Sequence, residues 1–226
     1  MSAAIRSPTE ATGRGVALWP GGGHASRMLV SELARLTPRP ARWLIALLIG
    51  KVTVVGSVPA GGVLLCSNHP SYRDVFLFAF VHRGARLLVH PLVFTFPFLK
   101  RWALRWGFVQ VDIPLAVELL KGGQPVAICP TGLVEALGED LLPYKTGAVR
   151  IAAQAGVPLV PLRIRYGNYP GPWVQRFSIT TQNMLLFLLW PFYRRGATVT
   201  FGEPFRVAGL DPKAETAELR RRMLAL

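Results

Sequence analysis

The chain has 226 residues, with 26 Lys and Arg against 12 Asp and Glu and a formal net charge of +14. Hydrophobic residues make up 51% and charged ones 17%, which is high in apolar content for a freely soluble protein and low for a polytopic membrane protein. No stretch holds the roughly 18 uninterrupted apolar residues that a bilayer span needs, and Cys66 and Cys129 form neither a CxxC nor a metal spacing, so no metal site is expected.

Residues 1–24 carry Gly, Pro, Ser and Thr with little periodicity and read as a flexible tail, leaving 25–226 as one folded domain. They lack a charged start followed by an apolar run, so no signal peptide is expected. Leu29, Leu33 and Leu36 share one face of an amphipathic helix over 26–36, which Pro38 and Pro40 end. The short apolar segment 41–49 is a second helix or leans on a membrane. Residues 51–58 and 63–67 read as strands. From there the pattern alternates: helix 71–82, strand 86–89, an aromatic helical stretch 92–106, strand 108–112, helix 114–121, strand 125–129, a loop 130–143, helix 145–155 and strand 157–164. A Gly/Pro/Tyr/Trp loop over 166–178 and an apolar patch over 184–192 precede strand 197–201. Asp211-Pro212 opens a last, charged helix. Strands alternating with helices predict an α/β fold: a single domain with a largely parallel central sheet flanked by helices, after an N-terminal helical segment.

The charge balance asks for an anionic partner. The basic residues are scattered and interleaved with large apolar ones, as in Phe98-Leu99-Lys100-Arg101-Trp102-Ala103-Leu104-Arg105-Trp106. That pattern favours an anionic membrane surface over a nucleic-acid groove. A core helix with a solvated basic edge accounts for the same pattern. Both cysteines sit in apolar strand-like runs and are expected as buried, reduced thiols. Together these features predict a peripheral protein on the cytoplasmic face of a membrane, with no nucleic-acid partner.

The chain is organised around Asn68-His69-Pro70-Ser71-Tyr72-Arg73-Asp74, which follows the strand-like run 63–67. Positions five apart lie about 140° from each other on a straight helix. His69 and Asp74 therefore meet only if His69 sits in a turn and Asp74 in the first helical turn. Asp74 can then orient one imidazole nitrogen and leave the other to take a proton. Ser71-x-x-Asp74 is equally a capping box that needs no catalysis. The chain has no G-x-S-x-G, no P-loop and no HExxH.

This segment resembles the N-H-x-S-x-x-D block of the glycerolipid acyltransferases, the lysophosphatidic acid acyltransferase family. Three further blocks follow in that family's order. Gly107-Phe108-Val109-Gln110-Val111-Asp112 resembles the second block. Ala127-Ile128-Cys129-Pro130-Thr131-Gly132 stands where the family has F-P-E-G-T-R, and Gly156-Val157-Pro158-Leu159-Val160-Pro161-Leu162 is similar to its V-P-[IV]-[VI]-P-V block. Residues 144–152 resemble its K-x-G-x-x-x-x-A helix. The resemblance spans residues 51–165. It implies that His69 acts as general base on a lipid hydroxyl, with Asp74 holding the imidazole. The hydroxyl then attacks the thioester of an acyl-CoA or acyl-carrier protein, with no cofactor and no covalent acyl-enzyme. It implies that Asn68, Ser71, Arg73, Pro130, Thr131, Gly132, Glu135 and Lys145 surround the substrates, with amides near Gly132 as candidate oxyanion donors.

Two departures bear on the acceptor. The second block's usual arginine is replaced by Ile113 after Asp112. The third block has Thr131 for the family's glutamate and Leu133 where an arginine follows the glycine. Pro130-Thr131-Gly132-Leu133-Val134-Glu135-Ala136 is closer to the P-G-G-x-x-E-A variant of the diacylglycerol and monoacylglycerol acyltransferase branch. A neutral hydroxyl or an amine-bearing head group, as in a lyso-ornithine-type lipid, is therefore an expected acceptor. Arg73, Lys145, Arg150, Arg163 and Arg165 are the cations that could replace the missing arginines. The alternative from another class is a non-catalytic, basic lipid-binding protein.

Overall fold

The computed structural model describes residues 47–226 apart from 48, 72, 82–83, 96, 136–141, 168–172, 174–175 and 190–195. The tail expected at 1–24, the helix at 26–36 and nearly all of segment 41–49 lie outside the described residues.

Among the described residues the sheet has seven strands: β1 (Val52–Val55), β2 (Leu64–Ser67), β3 (Arg86–Val89), β4 (Phe108–Gln110), β5 (Val126–Ile128), β6 (Leu159–Tyr166) and β7 (Ala197–Phe201). Their order is β1-β7-β6-β2-β5-β3-β4. Strands β6, β2, β5, β3 and β4 are mutually parallel. Strand β7 pairs antiparallel with β6, and β1 runs parallel to β7, so these two oppose the parallel block. Strand β2 sits inside that block, and all four of its residues are buried. Its apolar side chains serve both faces, as a covered parallel strand requires.

The connections are helices α1 (Asp74–Val81), α2 (Pro97–Arg105), α3 (Ile113–Lys121), α4 (Gly147–Ala155), α5 (Ile179–Leu188) and α6 (Pro212–Leu224). Leu77 and Phe78 of α1 pack with Leu65, Leu87, Leu162 and Ile164 on one face. Ala116 and Leu120 of α3, Val149 and Ile151 of α4, and Leu219 and Met223 of α6 pack with Leu64, Cys66 and Leu159 on the other. Each fully buried Leu or Ile contributes about 1.5–3 kcal/mol of apolar transfer free energy, so the two layers fix the sheet from both sides. Helix starts follow local chemistry: Asp112 Oδ1 accepts from Leu115 N at 2.8 Å at the start of α3, and Asp211 Oδ1 accepts from Lys213 N and Ala214 N at the start of α6. Gly156, at φ 67°, closes α4 in the left-handed conformation.

Several boundaries differ from the sequence reading. The stretch expected as one helix over 92–106 is a short 3-10 turn, Pro91–Phe94, followed by α2. Pro97 has no N–H to continue the first turn and instead starts the second helix. Strand β1 ends before Gly56, whose φ of 84° places it beside the Phe201 carbonyl. Helix α1 begins at Asp74 rather than 71, and α4 at Gly147 rather than 145. Strand β6 continues to Tyr166 because Arg165 and Tyr166 pair with Thr198 and Ala197 of β7. Part of the segment expected as an apolar patch is helical, since α5 starts at Ile179 under a Ser178 cap.

The topology prepares one location. After β2 the chain crosses to α1 and on toward β3, on one side of β2. After β5 it crosses to α4 on the opposite face and on to β6, on the other side of β2. Adjacent strands β2 and β5 therefore send their connections apart, which opens a crevice beyond their carboxyl ends.

Candidate active site

The His-x4-Asp segment occupies that crevice. Strand β2 ends at Ser67, and Asn68 is wholly buried directly after it. The Asn68 Nδ2 donates to Ile164 O at 2.9 Å and its Oδ1 accepts from Ile164 N at 2.7 Å. Strand β6 reaches past the end of β2, so the Ile164 groups that face β2 have no strand partner on that side, and the asparagine amide pairs both of them. This bidentate contact fixes the direction in which the chain leaves β2.

The turn then brings His69 back onto the start of α1. His69 Nδ1 lies 3.0 Å from Asp74 Oδ2. The same oxygen accepts from Ser71 N at 2.9 Å. Tyr166, on β6, donates its hydroxyl to Asp74 Oδ1. Asp74 is fully buried, whereas the His69 side chain is 18% exposed. The acid is thus held on several sides, and the imidazole keeps partial exposure. Ser71 Oγ accepts from Arg73 N at 3.3 Å and from Arg73 Nε at 3.2 Å, and the Arg73 guanidinium lies 4.6 Å from the Tyr166 ring centroid. Arg73 is 4% exposed, a cation packed inside the turn rather than presented to solvent.

The loop after β5 lies against this turn. Glu135 N donates to His69 O at 2.6 Å, and Cys129 Sγ is 3.9 Å from Asn68 O. Burial, then the charge of Asp74, push the Cys129 thiol well above its ordinary range, with lesser pushes from Cys66 and Glu135. The Glu135 carboxylate is buried, and its Oε1 accepts from Leu142 N at 3.1 Å. Pro130 and Thr131 are buried, and Thr131 Oγ1 donates to Leu133 O at 2.9 Å. Gly132 takes a φ of 68°, and its amide donates to Cys129 O at 3.0 Å, so that N–H is engaged within the loop. Lys145 N donates to Pro130 O at 2.9 Å. The Lys145 side chain crosses Gly132 closely enough that a Cβ there would meet its Nζ at 3.0 Å.

All ten residues singled out in the sequence therefore gather at the carboxyl ends of β2 and β5, across two adjoining segments. They divide by surroundings. His69 is partly exposed, and Gly132 and Lys145 are exposed, while Asn68, Ser71, Arg73, Asp74, Pro130, Thr131 and Glu135 are buried. Sequence reasoning missed Tyr166. Tyr166 falls at the start of the loop expected over 166–178, although Leu162, Ile164 and Tyr166 keep the two-residue alternation that extends the strand.

A family model described as Acyltransferase matches residues 51–165, over half of the chain. The chain belongs to the acyltransferase family. The match begins one residue before β1 and ends one residue before Tyr166. A 1-acyl-sn-glycerol-3-phosphate acyltransferase of Brassica napus chloroplasts is 32% identical over 109 residues, 43% of this chain and 31% of the relative. A Chlamydomonas reinhardtii protein of the same description is 26% identical over 128 residues, 50% of this chain and 38% of that one. The match thus spans about a third of the length of these curated relatives. The solved structure of the lysophosphatidic acid acyltransferase PlsC from Thermotoga maritima superposes with a TM-score of 0.57 at 23% identity, covering 89% of this chain and 82% of that one. The chain therefore shares the fold of that structure through most of its length.

Proposed function

We propose that the protein transfers a fatty acyl group from an acyl-CoA or acyl-carrier protein to the hydroxyl of a glycerolipid or related lipid, at a membrane surface. The observation that carries the proposal is the His69–Asp74 contact, held in a buried turn with the imidazole partly exposed. A hydroxyl placed against His69 Nε2 gives up its proton as its oxygen attacks the thioester carbonyl. Asp74, on the other ring nitrogen, stabilises the imidazolium. The tetrahedral intermediate then expels the thiolate as the C–S bond breaks, and the imidazolium returns the proton to sulfur. No nucleophilic side chain is needed. Cys129 is suited to packing rather than attack, because burial, and then the charge of Asp74, disfavour the thiolate it would require.

The relatives' names favour 1-acylglycerol 3-phosphate as acceptor. The surroundings of the turn favour an acceptor without a phosphomonoester. Of the cations that could replace the missing arginines, Arg73 is buried against Tyr166, and Arg163 donates to the carbonyls of Met223 and Leu224 at 3.4 and 2.6 Å. Lys145, beside Gly132, is a point charge without the planar fork that grips two phosphate oxygens. Leu133, at the motif position of an arginine, is 59% exposed and cannot donate. Competition at equal concentration between lysophosphatidic acid, monoacylglycerol, diacylglycerol and a lyso-aminolipid, with labelled acyl-CoA or acyl-carrier protein as donor, tests both parts. Acylation of a neutral or amine-bearing lipid is expected to dominate. Clear preference for lysophosphatidic acid would reverse the acceptor assignment, and no acylated lipid with either donor would contradict the reaction.

A further inference from the structure

We propose that Tyr166 is a positioning residue for the His69–Asp74 pair, a role that rests on the acyl-transfer reading above. Tyr166 closes β6, beyond the carboxyl end of β2, where its pairing with Ala197 of β7 keeps the strand extended. It lies past the segment matched by the family model. Its hydroxyl donates to Asp74 Oδ1, while Oδ2 serves His69 Nδ1 and Ser71 N. A carboxylate bonded through one oxygen can turn about its Cβ–Cγ axis. Held from the turn by one oxygen and from the sheet by the other, it cannot turn without breaking a bond.

The phenol is itself held. Arg73 covers its ring, and the Arg73 Nε donates to Ser71 Oγ, which returns the chain of contacts to the turn it started from. The loop Ser71–Asp74–Tyr166–Arg73 therefore ties α1, the turn and β6 into one unit. Its effect on chemistry runs through Asp74. When His69 takes the acceptor's proton, an imidazolium forms beside a carboxylate already aligned to receive it, with no reorganisation at that moment. Among the described residues, the titratable and charged groups around Asp74 include His69 and Arg73 from the turn, Tyr166 from β6, and Cys129 after β5 with Glu135 beyond it.

Tyr166→Phe removes the hydroxyl and keeps the ring under Arg73. The variant should show kcat lowered roughly tenfold or more, the scale of a lost hydrogen bond to a charged group, with KM for both substrates within about twofold. On a His69→Ala background the same change should cost nothing further. Nitrogen NMR of the His69 ring in the ligand-free protein should differ between wild type and Tyr166→Phe, a readout that holds whether or not acyl transfer is the reaction. Wild-type kcat with an unchanged ring spectrum would overturn the proposal, as would a further loss on the His69→Ala background. If Tyr166→Phe does not fold, the wild-type hydroxyl proton decides. Slow solvent exchange supports the bond to Asp74, and fast exchange overturns it.

Discussion

At the scale of single residues, Asp74 resolves a choice that the sequence left open. Ser71-x-x-Asp74 reads either as a helix cap or as half of a base-acid pair, and one carboxylate oxygen does both, accepting from Ser71 N at 2.9 Å and meeting His69 Nδ1 at 3.0 Å. The cap fixes the aspartate, and the fixed aspartate can orient the imidazole. Asn68 was read from the motif as a substrate contact, and the structure shows what its amide holds: both main-chain groups of Ile164, 96 positions away. Replacing Asn68 with Ala strands two buried backbone groups, at about 1–3 kcal/mol each. Asn68→Ala should therefore lower Tm by roughly 5–15 °C, read by calorimetry. An unchanged Tm would mean that the amide is dispensable to the fold. Nothing in the local sequence names Ile164 or Tyr166 as partners of this turn, because both contacts depend on how far β6 runs past β2.

At the scale of elements, the alternation of short apolar runs with helical ones was sufficient to read an α/β fold with a largely parallel sheet. Strands 86–89 and 197–201 lie where the sequence placed them. The alternation could not reveal that β7 inserts between β1 and β6 and reverses direction there. A strand's neighbour is chosen by packing across the whole sheet, and Ala197–Phe201 has the same alternating burial in either orientation. The early end assigned to β6 has the same origin, since its last residues are strand only because β7 pairs with them. The break before α2 was legible in principle, as Pro97 could not continue the turn begun at Pro91. The candidate site was more legible than the topology. Its two segments each follow an apolar strand directly, and adjacent parallel strands deliver them to the same edge.

At the scale of the whole molecule, charge and apolar surface point the same way. No helix among the described residues is long and apolar enough to cross a membrane. The chain leaves β3 and β6 at the same carboxyl edge that carries His69. After β3 it exposes Leu92; after β6 it exposes Trp173, Phe177, Met184 and Leu188, with the exposed Arg176 among them. Apolar side chains among cations at that edge suit an anionic bilayer presenting lipid to the site. Each Lys or Arg near such a surface contributes about 1 kcal/mol, screened by salt. Flotation with liposomes should show binding that rises with acidic lipid content and falls with salt. Binding indifferent to salt would assign the attachment to apolar contacts alone, and no binding would contradict the membrane assignment.

The central claim is that His69 is the base of an acyl-transfer reaction. The direct measurement is lipid acylation from labelled thioester by wild-type protein and by His69→Ala, each shown by its thermal unfolding to be folded. Loss of a general base predicts turnover lowered about 10²–10⁴-fold with the fold intact. A folded His69→Ala protein that acylates lipid at the wild-type rate would contradict the account.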